Sequence, residues 1–209
     1  MKLSRLAALA LFAAAPAFAG ATSFVVDFEK NWDFNNGGVA GFYNGGTADD
    51  GAEGVNVGVE FVGVSGLSND ADFTYYSGAP SAQGTAYAYD TTASYMNVAA
   101  GVENGLSLFY ASYVDVTGAV KAYSGLNGTG DLLGSFDLSA TAADGFGTWK
   151  QVALNFSGTA KSFDLTGSAG KNIGFDDIAS VSAVPEASSA LMMMVGGIAL
   201  LGLTRRRRA

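Results

Sequence analysis

Any chemistry in this 209-residue chain must use carboxylates, lysines, hydroxyls or backbone, because it contains neither histidine nor cysteine. That absence excludes Ser-His-Asp and Cys-His nucleophilic catalysis, and with them nearly every zinc, haem or iron–sulfur site. Any metal would have to be held by oxygen, which favours calcium or magnesium over transition metals. Two acidic groups stand out: Asp27-Phe28-Glu29 early in the chain and Asp176-Asp177 late. Brought together by folding, they would repel one another unless a cation sat between them. The alternative is that they stand on strand faces and point at water. Strand alternation puts Asp176 and Asp177 on opposite faces, so one of them at most serves as a ligand unless the strand carries a bulge.

Glycoside hydrolysis can also run on two carboxylates about 5 to 10 Å apart. Asp49-Asp50, Glu53, Glu60 and Glu103 could supply them. Nothing in the sequence singles out a pair, and Asp is common in turns for local hydrogen-bonding reasons, so the expectation is a non-enzyme. Aromatic side chains offer binding instead of catalysis. Trp32, Tyr43, Tyr75, Tyr76, Tyr87, Tyr89, Tyr110 and Tyr113 are numerous enough that some rings should reach the surface and stack on sugars, although tyrosine is also an ordinary strand residue. Trp149 reads as core.

The elements that must position these groups read as strands throughout. Short runs rich in Val, Phe and Tyr cover residues 24–28, 55–64, 85–89, 95–98, 106–114, 116–123, 132–138, 149–156, 161–165 and 173–181. Each is bounded by Gly, Asn, Asp or Ser, and no internal stretch has a helical period, which points to a jelly-roll-like antiparallel β-sandwich. Period-2 alternation from Val55 to Phe61 puts the valines and Phe61 on a core face. Gly37-Gly38, Gly45-Gly46, Asn127-Gly128 and Asp144-Gly145 read as turns, and no phosphate-loop motif accompanies them.

Charge is segregated. Between residues 20 and 204 there are 5 basic against 19 acidic residues, a balance of −14, while the other basic residues lie at the two ends. An acidic domain repels phosphate backbones, so nucleic acid is not an expected partner. Residues 1–19 combine Lys2 and Arg5, an apolar run and an Ala17-Phe18-Ala19 end, the pattern of a secretory signal peptide cut after Ala19. Residues 20–183 are the expected domain. Residues 184–209 form a second tripartite signal: Val184-Pro185-Glu186-Ala187, an apolar stretch over 190–203, and Arg205, Arg206, Arg207 and Arg208. As a helix those 14 apolar residues rise about 21 Å, short against a hydrocarbon core of about 30 Å. The arginines set the orientation, cytoplasmic end last. A plain tail anchor is the alternative reading.

In these residues the chain resembles the PEP-CTERM family of bacterial exported proteins, whose tail has a Pro-Glu-Pro-like motif, an apolar helix and a basic end. Ala187 stands where the family usually has its second proline. Residues 120–133, 152–161 and 173–178 are similar to segments that recur in exported domains with this tail. The resemblance implies an exosortase-like membrane protease as partner, transient insertion in the inner membrane with the domain in the periplasm, cleavage near Pro185, and final residence at the cell surface or in the extracellular matrix, where exopolysaccharide is a partner. A second resemblance, to jelly-roll domains like carbohydrate-binding modules, concerns Phe28-Glu29 and Asp176-Asp177. In those domains an early Phe-Glu and a late Asp-Asp sit on adjacent strands and share a structural Ca2+. It implies Glu29 and Asp176 as calcium ligands, with carbonyls of residues 31–46 as further ones. The leading expectation is therefore a non-catalytic exported surface or matrix protein of biofilm or exopolysaccharide. Its alternatives are a glycan-binding module and, further off, a carboxylate-based glycosidase.

Overall fold

The computed structural model describes residues 23–69, 76–81, 83–142 and 146–180. The signal peptide with Ala19, and the tail with Val184, Pro185, Glu186 and Arg205 to Arg208, lie outside the described residues, as do Tyr75 and the Asp144-Gly145 turn. Among the described residues no helix is long and apolar enough to cross a membrane.

Among the described residues there are nine antiparallel strands: β1 (Val25–Val26), β2 (Glu60–Val62), β3 (Val64–Ser68), β4 (Gly84–Ala88), β5 (Tyr95–Ala111), β6 (Val116–Tyr123), β7 (Leu132–Leu138), β8 (Lys150–Asp164) and β9 (Gly174–Ser180). A single 3₁₀ turn, Thr166–Ser168, is the helical element among the described residues.

Two strands are far longer than the rest, and both serve two layers. The start of β5 pairs with β2 and with the end of β8, which in turn pairs with β6 and then β7. The end of β5 pairs with β9 and with the start of β8, and β9 leads on to β4 and β3. Between these halves the β5–β8 register shifts twice, between Asn97 and Val102 and between Glu103 and Gly105. Gly158 at φ 96° supplies a conformation that side chains rarely adopt, at the middle of β8. The bend there is sharp. Phe156 and Phe163 both belong to β8, yet their ring centroids are 5.7 Å apart, whereas seven residues of straight strand span about 23 Å. The hydrogen-bonded path thus folds over into a jelly-roll-like β-sandwich.

One apolar cluster fills the space between the layers. Phe61, Met96, Phe163 and Ala122 come from the first layer, and Ala86, Phe175, Leu106, Leu108 and Leu154 from the second. Phe28 bridges them, 5.7 Å from Phe61 and 5.8 Å from Tyr43 between ring centroids. A second cluster of Leu67, Tyr76, Ala111 and Phe146, with Tyr87 and Trp149 against it, covers the outer face of the second layer.

The strand expectations need four corrections. The 55–64 run breaks at Gly63, φ 64°, and a separate strand, β3, continues to Ser68. Residues 55–59 are not strand: Gly58 has φ 79°, the Asn56 carboxamide oxygen accepts the Gly58 N–H, and Val55 is 62% exposed, so of that alternation Val59 and Phe61 are buried in the core, Val57 packs against its edge, and Val55 faces water. Runs 95–98 and 106–114 are one strand, and so are runs 149–156 and 161–165. The glycines between them are bends that keep pairing on both sides, not turns that end it. Trp149 lies just outside β8 and is half-buried against the outer cluster, not in the core.

Candidate functional site

The acidic residues at the two ends of the domain meet because β1 and β9 are neighbours, with Val25 opposite Ala179 and Val26 opposite Ile178. Farther along the same edge of β9, β4 takes over, with Ala86 opposite Phe175 and Tyr87 opposite Gly174. The changeover falls at Asp176 and Asp177. There Asp177 has φ 43°, and on the departing strand Phe28 has φ 52°, both strained for residues with a Cβ. The β5–β9 register also shifts between Ser107 and Phe109, so the bulge that the sequence left open is present.

Backbone amides exposed by the changeover find carboxylates. Asp176 Oδ2 accepts the Ser81 N–H at 2.9 Å and Asp176 Oδ1 accepts the Asp177 N–H at 2.8 Å. Glu29 Oε1 accepts the N–H groups of Gln83 and Gly84 at 2.6 and 3.1 Å, and the Ser81 hydroxyl donates to Asp177 at 2.8 Å. Ser81, Gln83 and Gly84 are thereby pinned beside β9, and Asp176 is fully buried. Burial is the main reason its carboxyl is pushed up to about 8. The Ser81 and Asp177 amides counter it in part, and the charges of Asp177 and Glu29 add to the rise. The Tyr43 phenol, which donates to Asp27 Oδ1 at 3.2 Å, is raised for the same reason, burial first and then the Asp27 charge.

Whether this corner suits a hard cation is testable on its own atoms. Continuing the β4–β9 register sets Thr85 opposite Asp176, and the fully buried Thr85 Oγ1 has no hydrogen-bond partner. An orphaned buried hydroxyl beside a buried carboxylate, with Glu29 close enough to raise it, is an all-oxygen donor set that fits calcium. It is not a carboxylate cage: among the described residues no three acidic side chains are grouped to hold a metal ion. Carbonyls and hydroxyls would have to complete it.

The remaining acids are spread over separate elements. Asp50 is ion-paired with Lys30, which also lies 4.5 Å from the Trp32 ring centroid. Although desolvation opposes the shift, that pairing and the Ala52 amide hold the Asp50 carboxyl below its ordinary value. Asp49 packs against Gly38, Glu60 opens β2, and Glu103 sits at the β5 register shift. Of the aromatics, Trp32, Tyr43, Tyr76 and Tyr110 are buried, Tyr87 is half-buried, and Tyr89 and Tyr113 stand about half-exposed, at 51% and 49%.

Sequence reasoning missed a second group. On the outer face of the first layer, register aligns Val62, Tyr95, Asp164, Lys121 and Ser135 in one row across β2, β5, β8, β6 and β7. The next row, Glu60, Asn97, Ser162 and Tyr123, lies partly beneath the β6–β7 connection, where Asn127 and Gly128 bond to Asn97 and Ser162. The alternation of Ser162 and Asp164 with Phe163 was the available signal, but it could not show which residues of other strands stand beside them.

No family model matches this chain, and no curated protein matches it. Several solved structures resemble it in part. A carbohydrate-binding module (CBM6cm-2) from Cellvibrio mixtus lichenase 5A, in complex with cellotriose, is 15% identical over 57% of this chain and 87% of that one, with a TM-score of 0.38. CBM35 from Paenibacillus barcinonensis is 18% identical over 60% and 94%, with a TM-score of 0.35. A glycoside hydrolase family 43 arabinoxylan arabinofuranohydrolase from Bacillus subtilis is 18% identical over 51% of this chain, which spans 23% of that enzyme, with a TM-score of 0.36. At such scores the likeness is one of strand arrangement only.

Proposed function

We propose that this chain is an exported, non-catalytic β-sandwich that binds polysaccharide at the cell surface or in the extracellular matrix. The observation that carries the non-catalytic part is how its carboxylates are used. Asp27, Glu29, Asp33, Asp50, Asp90, Asp115, Asp137 and Asp164 each accept a backbone N–H at a turn or strand end, Asp176 does so too but is fully buried away from any substrate, and Asp49, Glu60 and Glu103 lie on separate elements. Such bonds stabilise the carboxylate and fix it to the scaffold, whereas a glycosidase needs one carboxyl free to give up a proton and a second opposite it. The polysaccharide part is supported by the half-buried Tyr95 on the outer face of the first layer, by the half-exposed Tyr89 and Tyr113 just past strand ends, and by the terminal sorting signals. Incubating the exported protein with neutral and uronate polysaccharides should give retention on a polysaccharide gel and no release of reducing ends. Release that disappears on a single carboxylate-to-amide change would overturn the reading.

The two terminal signals define the route: export through the signal peptide ending at Ala19, a pause in the inner membrane, and cutting near Pro185 by an exosortase-like protease. A structural calcium, held by Glu29 and Asp176, belongs to the same proposal. It would neutralise the carboxylates at the β1–β4 changeover and tie Ser81, Gln83 and Gly84 to β9. Adding millimolar calcium to chelated protein should raise Tm by several degrees, and Glu29→Ala should abolish that rise. An unchanged Tm would remove the ion.

A further inference from the structure

We infer that the uncovered outer face of the first layer is the saccharide-binding site, with Tyr95 as stacking platform and Asp164, Lys121 and Ser135 as hydroxyl-binding groups, and that its ligand is a neutral polysaccharide. This rests on the polysaccharide-binding reading above and gives it a place and a ligand class. The two outer faces of the sandwich differ. That of the second layer is covered by Tyr76, Phe146 and Trp149, whereas the row Val62, Tyr95, Asp164, Lys121 and Ser135 carries no such cover among the described residues. Tyr95, Asp164 and Lys121 are half-buried, and Val62 and Ser135 are exposed.

The row has the composition that sugars need. Tyr95 is held in place: a Cβ on Gly128 would come within 2.9 Å of the ring, so the ring already abuts the β6–β7 connection. A ring fixed before binding loses little rotamer entropy when a sugar stacks on it. Asp164 and Lys121 are direct cross-strand partners of opposite charge, yet the one ion pair among the described residues is Lys30–Asp50. Asp164 uses Oδ1 for the Thr166 N–H at 2.8 Å, which leaves Oδ2 to accept, while the Lys121 ammonium is free to donate. Acceptor, donor and hydroxyl thus stand about 4.8 Å apart on successive strands, a ladder suited to successive hydroxyls of an extended glycan. Charge selects among glycans. Glu60 in the adjacent row makes the face net negative, within a domain whose basic residues are far outnumbered by acidic ones, so a polyuronate is repelled.

Affinity electrophoresis of the exported protein, in gels containing neutral β-glucan, neutral galactomannan, alginate or the host's own exopolysaccharide, tests this. A neutral gel should retard it. Tyr95→Ala should weaken retention about tenfold, Tyr95→Phe should preserve it, and Asp164→Asn and Lys121→Met should each weaken it several-fold with unchanged melting by circular dichroism. Retention that Asp164→Asn, Lys121→Met and Tyr95→Ala all leave untouched would overturn this site while leaving polysaccharide binding standing. Retention by alginate alone, lost in salt, would overturn the ligand class. Passage through every gel unretarded would overturn both the site and the function on which it rests.

Discussion

Among the described carboxylates, Asp176 is the one raised above its ordinary value. Its carboxyl titrates near 8 in the folded domain against 3.8 ordinarily, because burial penalises the anion more than the Ser81 and Asp177 amides favour it. Between those values the folded chain holds a proton that the unfolded chain has released. The stabilisation is therefore complete below pH 3.8 and is lost as pH rises through 8. In chelator, the urea midpoint should fall from pH 5 to pH 8.5, and Asp176→Asn should flatten the fall. Calcium at a millimolar level should do the same to the parent protein, since it stabilises the anion. Glu29 is simpler: it is exposed, and water can partly replace it. Glu29→Ala should cost about 1 kcal/mol in chelator, the net worth of its hydrogen bonds to Gln83 and Gly84, read by denaturant titration. The sequence marks both carboxylates, but their partners are the backbone amides of Ser81, Gln83, Gly84 and Asp177, which carry no side-chain signal.

At the scale of elements, the long strands decide the architecture. β6 (Val116–Tyr123) and β7 (Leu132–Leu138) stand at the ends read from the sequence, because a hairpin is a local object with Asn127-Gly128 at its turn. β5 and β8 were each read as two strands, because Gly101, Asn104-Gly105 and Ser157-Gly158 look the same in sequence whether they end a strand or bend it. Close approach is likewise invisible along the chain. Gly66 in β3 lies under Trp32, so that a Cβ there would fall 2.2 Å from the indole ring. Trp32 is itself tied down by its ring N–H, which donates to the Phe28 carbonyl at 2.8 Å. Gly66→Ala should destabilise the domain by about 1 to 3 kcal/mol and shift the tryptophan emission, as overpacking forces the ring to move. Unchanged emission with unchanged Tm would mean that the ring is not held where this packing puts it.

For the whole molecule, a chain without cysteine has no disulfides to lean on and depends on core area, and the shared cluster between the layers supplies it. Phe163→Ala removes a fully buried ring from the middle of that core and should cost about 3 to 5 kcal/mol in a single cooperative transition. The sorting proposal is checked at the same scale by intact mass. Protein recovered from its host should run from Gly20 to near Pro185 and be found outside the cytoplasmic membrane. Accumulation of a form with Arg205 to Arg208 when the membrane protease is deleted is the accompanying result. A tail retained in both strains would make it an anchored periplasmic domain.

The amino-acid sequence by itself determined what chemistry is excluded, since no fold can supply the histidine or cysteine that is absent. It also determined the all-β class, since period-2 alternation and turn residues act over a few positions. The meeting of Glu29 with Asp176 could be argued from sequence only through resemblance; the β1–β9 pairing and the bulge at Asp177 were decided by the tertiary structure. Which sheet face is covered was decided there too. Tyr76, Phe146 and Trp149 close over one layer, and the 124–130 connection closes only part of the other, leaving Tyr95, Asp164 and Lys121 aligned. Strand alternation dictates that a side chain points to one face or the other; only segments distant in the chain dictate what, if anything, lies on top of it.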